Sequence, residues 1–248
     1  MNEDGLKRAA QKIIFALDVR DSHEAVRYAK MLDGLVGCFK VGLELFISEG
    51  PRVLQAIREN SSAEIFLDLK LHDIPATMRG ALRSATRYGV RFITVHLDGN
   101  ESLPEITPGS DGPEVLAITV LTSLAEKDLG AMGFREGLTI LQLALQRAQT
   151  ARQAGCAGVV CSGREVTAVK EACGGHFKVI VPGIRPAWAA VAGDDQARTA
   201  TPASVIAAGA DAIVVGRPIR DASDPRDAAK KIATEIERVQ DVGKLRWL

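Results

Sequence analysis

Acidic and basic residues alternate at close spacing in Phe66-Leu67-Asp68-Leu69-Lys70-Leu71-His72-Asp73-Ile74-Pro75, a stretch otherwise dominated by apolar side chains. Isolated charges also sit at the ends of other apolar runs: Asp18 in Ala16-Leu17-Asp18-Val19 and Lys40 in Phe39-Lys40-Val41-Gly42. One Asp/Lys pair in such surroundings reads most simply as a buried structural ion pair. Asp18, Lys40, Asp68, Lys70 and Asp73 together ask for more, because taking each charge out of water costs several kcal/mol before pairing offsets it. A site that polarises a bound substrate accounts for them. A fixed ammonium among carboxylates can stabilise negative charge developing on carbon and then deliver a proton, and Lys70 has the acidic neighbours for that task.

A second set has the chemistry of an anion cradle. Val181-Pro182-Gly183-Ile184-Arg185 and Val215-Gly216-Arg217-Pro218 each combine a glycine-containing turn with a guanidinium. Backbone N–H groups and a bidentate Arg are the groups that grip a phosphate. One Gly-x-Arg alone is an ordinary turn with a solvent-facing charge. Two such loops after successive strands point to a phosphate monoester.

The elements that must position these groups are legible as short β-rich apolar runs: Ile13 to Val19, Cys38 to Gly42, Ile65 to Leu69, Phe92 to Val95, Val115 to Leu121, Gly158 to Cys161, Lys178 to Val181 and Ala212 to Val215. Helical patterns separate them, which predicts βαβ units, and eight such units suggest closure into an α/β (β/α)8 TIM barrel. Functional groups of such a barrel gather at the carboxyl ends of the strands, where the charges above fall. Residues two apart on a strand share a face, so Asp68 and Lys70 should point together with Phe66 below them. Gly89, Gly155 and Gly209 each end a helical run just before a strand and read as helix-terminating αβ joints. Asp21-Ser22, Pro51 and Ser223-Asp224-Pro225 mark helix starts. Asp98 to Pro113, with Pro104, Pro108 and Pro113, reads as a short helix and loop in place of a full fourth helix. No linker divides the chain, so residues 1–248 are expected to form a single domain.

Composition excludes several classes. Lys plus Arg (31) balances Asp plus Glu (31), leaving no net positive field for nucleic acid or an anionic membrane. Apolar runs fall short of a membrane span, and Glu3, Asp4, Lys7 and Arg8 precede any apolar stretch, the wrong order for a secretory signal. A cytoplasmic location is expected. Cys38, Cys156, Cys161 and Cys173 have no metal-ligand spacing and read as reduced, mostly buried thiols.

Asp68-x-Lys70-x-x-Asp73-Ile74-Pro75, with Lys40, Leu121-Thr122-Ser123, Pro182-Gly183-Ile184-Arg185, Asp194-Asp195-Gln196-x-Arg198 and Gly216-Arg217-Pro218, resembles the orotidine 5′-monophosphate decarboxylase family of the bacterial type. The order and spacing match along nearly the whole chain. The departure is Leu97 to Pro113, which replaces a longer Gly- and Ala-rich helix and carries none of the matched site residues.

The resemblance implies conversion of orotidine 5′-monophosphate to uridine 5′-monophosphate in de novo pyrimidine biosynthesis, without metal or cofactor. It implies that Asp18 binds the ribose, that Lys40 contacts the ribose and holds the neighbouring carboxylates, and that Asp68 sits against the departing carboxylate while Lys70 protonates C6. Asp73 and Thr77, with Ile74 between them, would be donated across a homodimer to a shared site. Thr122 would read the pyrimidine, and Pro182, Arg185, Gln196, Gly216 and Arg217 would hold the phosphate.

Two rival functions are a metal-dependent sugar-phosphate decarboxylase or aldolase on the same barrel, resembling 3-keto-gulonate-6-phosphate decarboxylase, and a catalytically silent phosphate-ligand-binding barrel. Asp195-Gln196 and Leu121-Thr122-Ser123 favour the nucleotide over the first. The presence of Lys40, Asp68, Lys70 and Asp73 together argues against the second. His72, although inside the charged motif, reads as a packing or supporting residue and not as a proton-transfer group. His96 ends its strand near the mouth, and Trp188 reads as surface packing.

Overall fold

The chain order alternates strands and helices as the periodicity requires. The computed structural model describes residues 3–97, 112–189 and 200–245, with side chains through residue 239. Helix α1 (Glu3–Ala10) leads into β1 (Ile13–Ala16), α2 (Ser22–Leu32) and β2 (Cys38–Gly42). Helices α3 (Leu43–Glu49) and α4 (Arg52–Arg58) precede β3 (Glu64–Leu71), α5 (Pro75–Thr86) and β4 (Phe92–Val95). The second half runs through β5 (Glu114–Ile118), α6 (Glu126–Ala131), α7 (Ile140–Gln153), β6 (Gly158–Val160), α8 (Val166–Cys173) and β7 (Lys178–Val181). It ends with α9 (Pro202–Ala207), β8 (Ala212–Val215), α10 (Arg217–Arg220) and α11 (Pro225–Leu245).

The eight strands pair in parallel in chain order, and β1 closes on β8 through Ile13↔Ile213, Ile14↔Val214 and Phe15↔Val215. This is the (β/α)8 barrel that the alternation predicts. The segment expected as a short helix and loop falls largely on residues 98–111, outside the described residues, as do Asp194, Asp195, Gln196 and Arg198.

Strand alternation divides the apolar residues into two layers. Ile14, Ala16, Cys38, Phe66, Phe92, Leu116, Ile180, Ala212 and Val214 fill the barrel interior. Ile13, Phe15, Phe39, Val41, Ile65, Leu67 and their equivalents pack outward against the helices. The Phe15 and Phe39 rings meet edge to face with centroids 6.3 Å apart, and both are fully buried. Truncating either to Ala would cost about 3–5 kcal/mol.

Local signals do what their chemistry suggests. Asp21 caps α2 by accepting from Glu24 N at 2.9 Å, a contact of about 1 kcal/mol. Pro51 is the N-cap of α4, and Pro225 opens α11 while the Asp224 carboxylate accepts from Arg226 N and Asp227 N. Gly89, Gly155 and Gly209 have φ of +55°, +76° and +105°, the left-handed region that ends a helix cheaply only for glycine. These joints sit at the amino ends of the strands. Ion pairs hold the same end, among them Lys170 Nζ to Asp211 Oδ2 at 2.7 Å and the pair of Lys178 with Glu114.

Candidate active site

The carboxyl ends of the strands surround a cavity of about 630 Å³, a size suited to a small organic ligand. Ala16 and Phe66, the last apolar layer of the barrel, lie in its lining below the charged groups. Asp18, Lys40, Asp68, Lys70, Thr122, Pro182, Arg185, Gly216 and Arg217 of the sequence-predicted set all line it.

The acidic and basic groups form a continuous chain. Lys40 Nζ lies 3.3 Å from Asp18 Oδ1 and 3.5 Å from Asp68 Oδ2, and Lys70 Nζ lies 2.9 Å from the same Asp68 oxygen. Asp68 is buried, whereas the Asp18 side chain is about half exposed. Burial alone would raise the Asp68 carboxyl. Lys40 and Lys70 outweigh that, helped by hydrogen bonds from Lys70 and Thr94, and hold it below its usual range.

Asp68 and Lys70 do share the cavity, but not through simple alternation. The β3–β4 register shifts between Leu67 and Leu71, and Lys70 has φ +51°, a positive value that no other non-glycine residue adopts among the described residues. A left-handed backbone at a residue with a Cβ costs of order 1–2 kcal/mol. The local break turns the Lys70 ammonium onto Asp68. It also places His72, which is exposed, beside His96, with ring centroids 5.7 Å apart and outside the cavity lining.

Across the barrel, the loop after β7 brings Pro182, Gly183 and Arg185 to the cavity, and the turn after β8 brings Gly216 and Arg217. Gly183 has φ +72°. The Arg185 main chain is anchored by its N–H to Ala200 O at 2.8 Å, and the Arg185 guanidinium donates to Ile184 O. Gly216 is the N-cap of α10, with Arg217 as its first residue.

Three predicted residues stand elsewhere. Asp73, Ile74 and Thr77 are exposed where α5 begins, outside the lining of this chain's own cavity. Asp73 Oδ1 accepts from Ile74 N at 2.6 Å. Gln196 lies outside the described residues.

Sequence reasoning missed two contributors. Arg220 lines the cavity and donates to Asp18 O at 3.0 Å, while its guanidinium also grips Asp221. Only its position one helical turn after Arg217 could have drawn attention to it. Thr94 is fully buried in β4 and bonded to both Asp68 and Lys70. Its sole signal was a hydroxyl in an apolar strand. The four cysteines are buried and in no disulfide, and Cys161 borders the cavity. Trp188 is partly exposed and near the Lys231 ammonium, at the surface as expected.

Ionisable groups collected where the strands end, with guanidinium groups after β7 and β8, place the molecule among the (β/α)8-barrel enzymes. The sequence profile of the Orotidine 5′-phosphate decarboxylase / HUMPS family matches residues 11–232, and the chain belongs to that family. It is 42% identical over 233 residues to the orotidine 5′-phosphate decarboxylase of Gloeothece citriformis, covering 92% of this chain and 98% of the relative. It is 45% identical over 230 residues to that of Desulfosudis oleivorans, covering 91% and 92% of the two chains. The crystal structure of orotidine 5′-phosphate decarboxylase from Lactobacillus acidophilus superposes with a TM-score of 0.77 at 34% identity, over 90% of this chain and 98% of that one. No helix among the described residues is long and apolar enough to cross a membrane.

Proposed function

We propose that this chain is a single-domain carboxy-lyase that converts orotidine 5′-monophosphate to uridine 5′-monophosphate and CO2, a step of pyrimidine biosynthesis, with Lys70 as the proton donor. The observation that carries this reading is the Lys70 ammonium, 2.9 Å from Asp68 and exposed to the cavity. The C6–CO2 bond breaks and its electron pair stays on C6, where no adjacent carbonyl can take it up fully. An ammonium beside C6 stabilises that charge and then gives up a proton, forming the C6–H bond. Lys70 afterwards regains its proton from water.

The other roles are those that the family resemblance implies. Asp68 faces the departing carboxylate, Asp18 and Lys40 hold the ribose, and Thr122 reads the pyrimidine. Pro182, Arg185, Gly216 and Arg217 bind the phosphate together with Gln196. Strands β3 and β7 are four apart in the closed order, so the ammonium and the Arg185 loop face each other across the mouth. A nucleotide would span that gap. No metal is required, because Lys40 and Lys70 already neutralise Asp68, and a divalent cation there would meet two ammonium groups.

Asp73, Ile74 and Thr77 act in the cavity of a second copy. In support, Ile74 is 66% exposed at the start of α5, and Ile47 and Leu43 of α3 leave further apolar surface in water near the same strand ends. The test is to follow loss of the orotate ultraviolet absorbance when orotidine 5′-monophosphate is added in EDTA. Full turnover is expected; activity that appears only after magnesium is restored would replace this reading with a metal-dependent one.

A further inference from the structure

Thr94 has no surface exposure and lies outside the cavity lining, yet it touches both members of the Lys70–Asp68 pair. Its Oγ1 accepts from Lys70 N at 2.9 Å and donates to Asp68 Oδ1 at 2.8 Å. A threonine hydroxyl has one proton to give, so accepting from the amide leaves that proton for the carboxylate and fixes the direction of both bonds.

These bonds fall where the sheet is interrupted. Pairing of β3 with β4 runs through Leu67↔Ile93 and resumes only at Leu71↔Val95. Between these points the Lys70 amide turns to the Thr94 side chain, and its backbone takes φ +51°. A buried N–H with no acceptor is costly, so the hydroxyl helps make this otherwise unfavourable conformation tenable. The second bond occupies Oδ1 of Asp68. Lys70 and Lys40 are thereby left to converge on Oδ2, at 2.9 and 3.5 Å.

We propose that Thr94 is a positioning residue: one hydroxyl fixes the Lys70 main chain and the Asp68 carboxylate relative to each other, and so sets the line along which Lys70 approaches C6. This rests on the reading of Lys70 as the proton donor. Valine matches threonine in shape but can neither accept from Lys70 nor donate to Asp68. Without the hydroxyl, residue 70 is released toward an ordinary strand conformation and the ammonium moves off its target, while distant phosphate contacts persist.

The test compares Thr94→Val, Thr94→Ala and Thr94→Ser with the wild-type protein, using kcat and KM for orotidine 5′-monophosphate, the inhibition constant of uridine 5′-monophosphate and the pH dependence of kcat. Either hydroxyl-free variant that folds, judged by circular dichroism, is expected to lose roughly 10- to 100-fold in kcat, the scale of an error in placing a reacting group. KM and product inhibition should stay within about threefold, as expected for a change in chemistry and not in uniform binding. Thr94→Ser should restore kcat to within about threefold. The acid limb of kcat should move to higher pH in the hydroxyl-free variants, because Asp68 loses a bond that favours its charged form.

Wild-type kcat in a folded hydroxyl-free variant would overturn the inference. So would a serine variant as impaired as valine, or a kcat loss matched by an equal loss of product affinity. Wild-type protein that leaves orotidine 5′-monophosphate intact would remove the decarboxylase reading, and this inference with it.

Discussion

Lys70 Nζ reaches Asp68 Oδ2 at 2.9 Å across an interrupted stretch of β3. The interruption aims the ammonium, so removing the side chain should remove chemistry far more than binding. Lys70→Ala is expected to lower kcat by more than about 1000-fold, combining loss of charge stabilisation with loss of the proton donor. Orotidine 5′-monophosphate turnover measures the loss of chemistry, and uridine 5′-monophosphate inhibition measures whether binding is retained. A residual rate within tenfold of wild type, about 1.4 kcal/mol in barrier, would assign the proton to another group.

Arg217→Ala should weaken uridine 5′-monophosphate inhibition by about 10- to 100-fold, the value of a hydrogen bond to a charged group. It should also lower turnover, because contacts remote from C6 contribute to transition-state binding. An unchanged inhibition constant would count against a phosphate at this loop.

Acid should destabilise the fold through Asp68. Its folded-state carboxyl is held below the ordinary value of 3.8 by Lys40 and Lys70 against the opposing effect of burial. Below 3.8 the unfolded chain therefore binds the proton more readily than the folded one. The stabilising contribution is present above that value and is lost as pH falls through the folded-state value. Urea unfolding between pH 3 and 6 should show a steeper acid loss for wild type than for Asp68→Asn. Equal slopes would refute it. At pH 7 the same variant should be less stable by roughly 3 kcal/mol, having left two ammonium groups without their shared carboxylate.

Each cavity is expected to need two chains. Asp73→Asn and Lys70→Ala proteins should be nearly inactive alone, yet a mixed dimer would contain one cavity with Lys70 and Asp73 intact from different chains and one with both lesions. Random equal mixing should then recover about a quarter of wild-type activity per total site in an isologous dimer. Demonstrated subunit exchange without recovery would place both residues in one subunit.

The barrel was readable because each strand announces itself as an apolar run and the joints at Gly89, Gly155 and Gly209 repeat the same turn. The cavity charges were readable because Lys40, Asp68 and Lys70 stand in strands that should be apolar and Asp18 lies just past the end of another. Alternation correctly predicted that Asp68 and Lys70 share the cavity, although the register break between Leu67 and Leu71 achieves it differently. No periodicity encodes such a break. Thr94 stayed hidden because a β-branched residue in Phe92-Ile93-Thr94-Val95 is what any strand favours. Arg220 was missed because an arginine on a short helix looks like a solvated charge until its guanidinium is seen against Asp18 O.

The left-handed backbone at Lys70 bears on how this scaffold could be re-engineered. Judged by conformational preference alone, position 70 asks for glycine or asparagine, and a redesign that optimises local backbone comfort would install one of them. Such a variant would relieve the backbone strain, yet it would leave buried Asp68 without one of its two ammonium partners and remove the proposed proton donor. Thermostabilising libraries for this barrel should therefore hold residue 70 constant and seek their gains at the opposite rim, where Lys170, Asp211, Lys178 and Glu114 hold strand ends away from the cavity.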